Sequence, residues 1–307
     1  MKLFLILFYC TFFHYTLLNA DEPIEPIPQK IHVNPKKVEL GKMLFFDTTL
    51  SADDTVSCAS CHILQEGGDD NLPVSFGIKG QKGPINAPTV YNAVFNFRQF
   101  WDGRAADLKE QAMGPIENPK EMGFNFKELV AKLKKTPYRA QFDRIYEDGI
   151  TKENIADAIA EYEKTLITPN APFDRYLKGD KNAITQEQKE GYELFKSKGC
   201  VTCHHGVNVG GNLYNKFGIF QDSNSSSLGR YNVTHKERDK YYFKVPSLRN
   251  IAKTAPYFHD GRTYDLRVAV FTMAQYQLGR KITPQEVDKI VAFLKSLNGE
   301  LPKSIET

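Results

Sequence analysis

The pentapeptide Cys-x-x-Cys-His occurs twice, as Cys58-Ala-Ser-Cys61-His62 and as Cys200-Val-Thr-Cys203-His204, and no other feature narrows the fold as far. Each copy can attach one haem through two thioether bonds and supply the fifth iron ligand. A bound haem replaces much of a peptide core, so long loops around it are tolerable in a compact chain. Structural zinc and a redox disulfide are the competing readings. Neither motif is followed by a second Cys or His pair at zinc spacing, which speaks against zinc.

The fifth cysteine, Cys10, lies in a stretch patterned like a secretory signal: Lys2, the apolar run Leu3 to Phe13, then Leu17-Leu18-Asn19-Ala20 before Asp21-Glu22. Residues 1–20 are expected to be a signal peptide cleaved near Ala20. A membrane anchor is the alternative, but His14, Tyr15 and Asn19 interrupt the run short of the roughly 20 apolar residues that span a bilayer. Export suits a protein whose haem is attached outside the cytoplasm, so the periplasm is the expected compartment.

The chain has 40 Lys and Arg against 37 Asp and Glu. This balance gives no case for nucleic acid and leaves redox-partner docking to local patches.

An internal repeat marks the domains. Pro88-Thr89-Val90-Tyr91-Asn92 and Pro246-Ser247-Leu248-Arg249-Asn250 lead to Asp102-Gly103-Arg104 and Asp260-Gly261-Arg262, then to Asp107-Leu108 and Asp265-Leu266. Leu44-Phe45 and Leu194-Phe195 precede the two haem motifs. The expected domains are residues 21–168 and 169–307. Both are expected to be mostly α, two c-type cytochrome domains with long loops.

Local signals agree. Ile155, Ile159, Tyr162 and Leu166 form a helical stripe that could be buried between the halves. Thr185 with Gln188 reads as a capping box. Thr283-Pro284-Gln285-Glu286 reads as an N-cap with proline at N1 and glutamate at N3, ahead of Val287, Ile290, Val291, Leu294 and Leu297 on one face. Gly67 to Asp70 and Gln221 to Arg230 read as loops.

Over nearly the whole mature length the sequence resembles the bacterial di-haem cytochrome c peroxidases. The resemblance rests on Gly41 to Asp47, Cys58 to His62, Gly67-Gly68-Asp69-Asp70-Asn71, Pro88 to Asn92, Phe100 to Arg104, Cys200 to His204 and Thr254 to His259. It implies two facing haem c domains, one handling hydrogen peroxide and one receiving electrons from a small c-type cytochrome or copper protein. It also implies a homodimer and a cytochrome-c peroxidase activity.

Axial ligands divide the work. A His/Met haem passes electrons and has no room for substrate. Met273 stands where the family keeps that methionine, so His204 and Met273 are expected to ligate the second iron; core packing is the commoner fate of a methionine. The first haem, on His62, is then peroxidatic. In many relatives a histidine in the following loop is its sixth ligand; here Ile78 takes that place, and no histidine lies between His62 and His204. The first iron is therefore expected to lack a sixth protein ligand, with Met113 and, less favoured, Lys79 as rivals.

By resemblance Gln111 is the distal hydrogen-bond donor and Glu121 the acid/base that moves a proton between the peroxide oxygens; Glu117 is the nearby decoy. Trp101 is expected between the haems and His259 near a haem propionate. A calcium ion between the domains would be held by the side chain of Asn86 and the carbonyls of Thr254 and Pro256, an oxygen shell of the kind calcium takes. The alternatives are a di-haem electron carrier, an enzyme that matures a tryptophan-derived quinone, whose relatives carry Tyr where Met273 stands, and a haem-based sensor, for whose output module the chain has no room.

Overall fold

The computed structural model describes residues 22–302. The stretch expected to be a signal peptide, residues 1–20 with Cys10, lies outside the described residues. In chain order the helices are α1 (Pro35–Phe46), the single turn α2 (Cys58–Cys61), α3 (Leu108–Glu117), α4 (Phe126–Leu133), α5 (Tyr138–Asp143), α6 (Lys152–Glu163), α7 (Pro172–Leu177), α8 (Gln186–Ser197), α9 (Tyr231–Thr234), α10 (Leu266–Thr272) and α11 (Pro284–Lys295). Strands β1 (Tyr214–Lys216) and β2 (Tyr242–Lys244) pair antiparallel, with Tyr214 opposite Lys244. The architecture is mostly α with long loops, as the sequence predicts.

Caps start the long helices where the sequence places them. Asn34 accepts from the Lys36 and Lys37 amides ahead of α1, with Pro35 at the first helical position. Thr185 with Gln188 and Thr283 with Glu286 both close reciprocal capping boxes. Such a cap is typically worth about 1 kcal/mol.

Each half is built on one close helix crossing, α1 over α6 and α8 over α11. Glycine permits both. A Cβ on Gly41 would stand 1.8 Å from the Ala158 carbonyl oxygen, and one on Gly191 would stand 1.9 Å from that of Lys289. No other residue allows backbones so near.

The first core gathers Leu40, Leu44, Phe45, Ile155, Ile159, Tyr162 and Leu166. At roughly 1.5–3 kcal/mol for each large apolar side chain fully buried, this stripe dominates the local energetics. It corrects one expectation: the face of α6 is buried inside the first half, against α1, rather than between the halves. The second core gathers Phe173, Tyr192, Phe195, Ile290, Phe293, Leu294 and Leu297. It also takes in Ile24, and the Tyr192 hydroxyl bonds Glu22 Oε2 at 2.6 Å. The start of the described chain, assigned from sequence to the first half, is thus strapped onto the second.

The repeat is visible in the backbone. Asn92 and Asn250 both take left-handed conformations, φ 60° and 59°, and both donate from Nδ2 to one buried hydroxyl, Thr168 Oγ1, at 2.8 and 2.9 Å. The halves meet through further bonds: Lys244 N to Trp101 O at 2.7 Å, Asn86 N to His259 O at 2.9 Å and Phe97 N to Gly211 O at 2.8 Å.

Candidate haem sites and catalytic loop

A large cleft opens beside the second motif, with about 1780 Å³ of empty space counted out to its mouth. Cys200, Cys203, His204 and Met273 all line it, among Leu266, Ile290 and Leu294. His204 Nδ1 lies 3.2 Å from the Val209 carbonyl oxygen. With the proton assigned to Nδ1 in that bond, Nε2 is left as a metal ligand, the usual outer-shell arrangement. Burial holds the His204 imidazole down at about 4, so the ring is neutral at pH 7. Met273 begins a π-turn, Met273–Gln277, at the end of α10. Such turns often occur at functional sites. Two thiols, a tethered neutral imidazole and a thioether around an apolar cleft fit a covalently held haem.

Among the described residues no three His, Cys, Asp or Glu side chains converge as a metal site of those ligands requires. Burial also pushes the Cys61 and Cys200 thiols up to about 11. Neither resembles the low-pKa thiolate of a redox motif, and both findings weigh against zinc and a redox couple.

The first motif repeats the design. Ser57 and Ser60 close a cap around α2, and His62 Nδ1 lies 3.0 Å from the Gly68 carbonyl oxygen. The thiols and imidazole present fit a second haem.

Beside this motif, where Ser75 and Glu121 both lie within electrostatic reach of Cys61, the loop carrying Ile78 is fastened to the loop carrying Glu121. Ile78 N donates to Glu121 O at 2.8 Å, and Gln81 Nε2 to Pro119 O at 2.7 Å. A Cβ on Gly77 would stand 2.1 Å from the Lys120 carbonyl oxygen, so glycine lets the two loops touch. Ile78 is buried in the first core, whereas Lys79 is exposed. Met113 packs on the same core. The Glu121 loop folds back on the end of α3 through Met122 N to Pro115 O at 3.1 Å and Phe124 N to Ile116 O at 2.7 Å.

Glu121 Oε1 accepts from Asn118 Nδ2 at 2.6 Å. Burial raises its carboxyl above the ordinary range, against lowering by Arg104 and by that bond. Glu117 instead pairs with Lys152 at 2.9 Å with its side chain 47% exposed. Of the two glutamates, only Glu121 has the shielded setting of an acid/base group. Gln111 is half-buried on α3.

At the junction of the halves, Trp101 Nε1 donates to Asn86 O at 2.9 Å, and its ring meets His259 edge-on at 6.1 Å. His259 is 3% exposed; it stacks on Phe243 at 4.2 Å, and its Nε2 lies 2.7 Å from Ser225 Oγ. Asn86 Nδ2 donates to Leu72 O at 2.9 Å, which leaves its Oδ1 as a free acceptor. Asn86, Thr254 and Pro256 are among the residues lining the cleft, as is Asp69, whose Oδ1 is buried without a partner. Oxygen acceptors lacking donors suit a calcium ion.

Three groups escaped the sequence reading. Lys244, buried in the cleft wall, is held down at about 8 by desolvation alone. Asp69 is raised to about 7 by burial and then by Asp70. Glu163 is buried with Oε2 unpartnered. Only a charged residue inside an apolar stripe, as with Glu163 after Tyr162, could have signalled any of them.

Comparison with known proteins agrees with this geometry. The di-haem cytochrome c peroxidase family pattern matches residues 35–182 and the cytochrome c pattern residues 188–298. The chain is 53% identical over 288 residues to cytochrome c peroxidase Ccp of Escherichia coli (strain K12), covering 92% of this chain and 62% of that protein. It is 51% identical over 292 residues to cytochrome c551 peroxidase of Nitrosomonas europaea, covering 93% and 87%. A crystal structure of a MauG-like protein associated with microbial copper homeostasis superposes with a TM-score of 0.79 at 26% identity, covering 93% and 95%. The chain therefore belongs to the di-haem cytochrome c peroxidase family.

Proposed function

We propose that the chain reduces hydrogen peroxide to water with electrons from a reduced c-type cytochrome or a small copper protein, accepted in the second half and spent in the first. One peroxide, two protons and two electrons give two waters. The observation that carries this reading is the contrast between the halves. Met273 stands with His204 in the second cleft, whereas the loops beside the first motif carry Ile78, which cannot ligate iron, and the shielded Glu121. Haem c, when bound, supplies the redox-active iron at both places.

The chain's own residues do the rest. Cys58 and Cys61 would hold the first haem and Cys200 and Cys203 the second, with His62 and His204 as proximal ligands. Lys244, a buried cation without a counter-ion, suits the carboxylates of a haem edge. Glu121 takes a proton from the near peroxide oxygen and returns it to the far one, with Asn118 fixing its Oε1. Gln111 donates a hydrogen bond to the bound peroxide. Trp101, bonded to both sides of the junction, offers a ring through which electrons cross. Asn86, Thr254 and Pro256 would hold calcium and so set that junction. Export to the periplasm and a homodimer complete the proposal; both rest on the sequence pattern and the resemblance.

The test is turnover by the holoprotein. Adding peroxide is expected to oxidise two equivalents of reduced cytochrome c per peroxide. Reversible exchange of electrons with cytochrome c, unaffected by peroxide, would instead identify an electron carrier.

A further inference from the structure

We infer that Glu163 is a polar group built into the wall of the first haem site, where it lowers the reduction potential of that haem relative to the second. The argument begins with the equivalence of α6 and α11. At the two helix crossings, Ala158 and Lys289 face Gly41 and Gly191, and the Cβ atoms of Tyr162 and Phe293 each come 3.0 Å from the point a glycine Cβ would occupy. Downstream, the carbonyls of Leu166 and Leu297 accept from the amides of Asn92 and Asn250. Glu163 therefore holds in the first half the place that Leu294 holds in the second.

Leu294 lines the second cleft with Cys200. Glu163 is correspondingly close to Cys58: burial, and then the Glu163 carboxylate, push that thiol up. At this position the second half presents a methyl-lined wall and the first half a carboxyl. Glu163 is only 5% exposed, and its Oε2 has no hydrogen-bond partner. Burial pushes it up to about 8, with no charged neighbour to offset the cost.

A carboxyl here brings the fold nothing, because an unsatisfied buried polar group is destabilising and leucine fills the equivalent place. Its effect falls on its neighbour. Negative charge or an oriented dipole in a low-dielectric wall opposes electron uptake at an adjacent centre, and hydrogen bonding and burial are recognised levers on haem potential. Glu163 thus gives the two halves different redox character in one duplicated fold.

The experiment uses the holoprotein and two variants, Glu163→Leu, which installs the second half's side chain, and Glu163→Gln. Redox titration followed by visible absorption and electron paramagnetic resonance resolves the two haems. Glu163→Leu is expected to favour reduction of the first haem at least tenfold, about 59 mV for a one-electron couple, with the second haem unchanged and a thermal midpoint no lower than wild type. In titrations above about pH 8, where the wild-type carboxyl is ionised, Glu163→Gln is expected to shift the first haem in the same direction, and it decides the matter if the leucine variant does not fold. An unchanged first potential in the folded variants, or equal shifts at both haems, overturns the inference. It rests on the reading that the first half holds a haem; a wild-type protein with fewer than two haems per chain would defeat that reading instead.

Discussion

Replacing Glu121 by glutamine is expected to lower peroxide turnover by about 10²–10⁴-fold, the range contributed by a positioned acid–base group. Both haems should keep their spectra, because Glu121 would ligate neither iron. Its environment explains the size of the effect. The carboxyl is half-buried, bonded through Oε1 to Asn118 at 2.6 Å, and raised above the usual range by desolvation. Its ionised form must accept the first proton, so activity is lost as pH falls through this raised pKa. The acid limb of kcat/KM should therefore lie above the ordinary carboxylate range and vanish in the variant. Glu117→Gln is the control: Glu117 pairs with Lys152 at the surface, and its loss should leave turnover unchanged. A Glu121→Gln enzyme within about tenfold of wild type would remove Glu121 from the chemistry.

The largest stability effect is expected at Arg249. Its Nη1 donates to Asp174 Oδ1 at 2.7 Å, its Nη2 to Glu25 O at 2.7 Å and its Nε to Val207 O at 2.9 Å. Both side chains of the ion pair are fully buried. Arg249→Ala leaves the Asp174 carboxylate uncompensated, and Asp174 Oδ2 already lacks a partner. Breaking a buried pair in this way costs about 3–5 kcal/mol, read as a fall in the urea midpoint of the second half. The Arg249→Met, Asp174→Leu double variant should recover much of the loss, because no charge is then left buried. A loss below about 1 kcal/mol for Arg249→Ala, the size of a surface pair, would show the site to be hydrated.

The same position shows what the repeat conveyed and what it concealed. Pro-x-x-x-Asn is legible twice in sequence, and Asn92 and Asn250 take matching left-handed conformations. The fourth residue differs: Tyr91 bonds Leu64 O in one half, and Arg249 reaches Asp174 in the other. The meeting of both asparagines on Thr168 could not be read, because it joins positions 76 and 82 residues apart.

Capping boxes and apolar periodicity predicted the helices because both are local. Periodicity shows that a helix has a buried face without showing what covers it, which is why the α6 stripe was placed between the halves instead of under α1. Gly41 and Gly191 each stand three residues before a Leu-Phe pair, and this spacing was a visible sign of the two crossings. The haem motifs were legible because one short segment supplies all their groups. Lys244, Asp69 and Glu163 were not, because burial of a charge is a property of the assembled fold.

The central claim is that the first iron keeps a coordination place for peroxide while His204 and Met273 cap the second. The most direct measurement is an electron paramagnetic resonance spectrum of the fully oxidised holoprotein. A high-spin signal from the first haem beside a low-spin signal from the second is the expected result. Two low-spin signals, persisting after electrons are added, would contradict it.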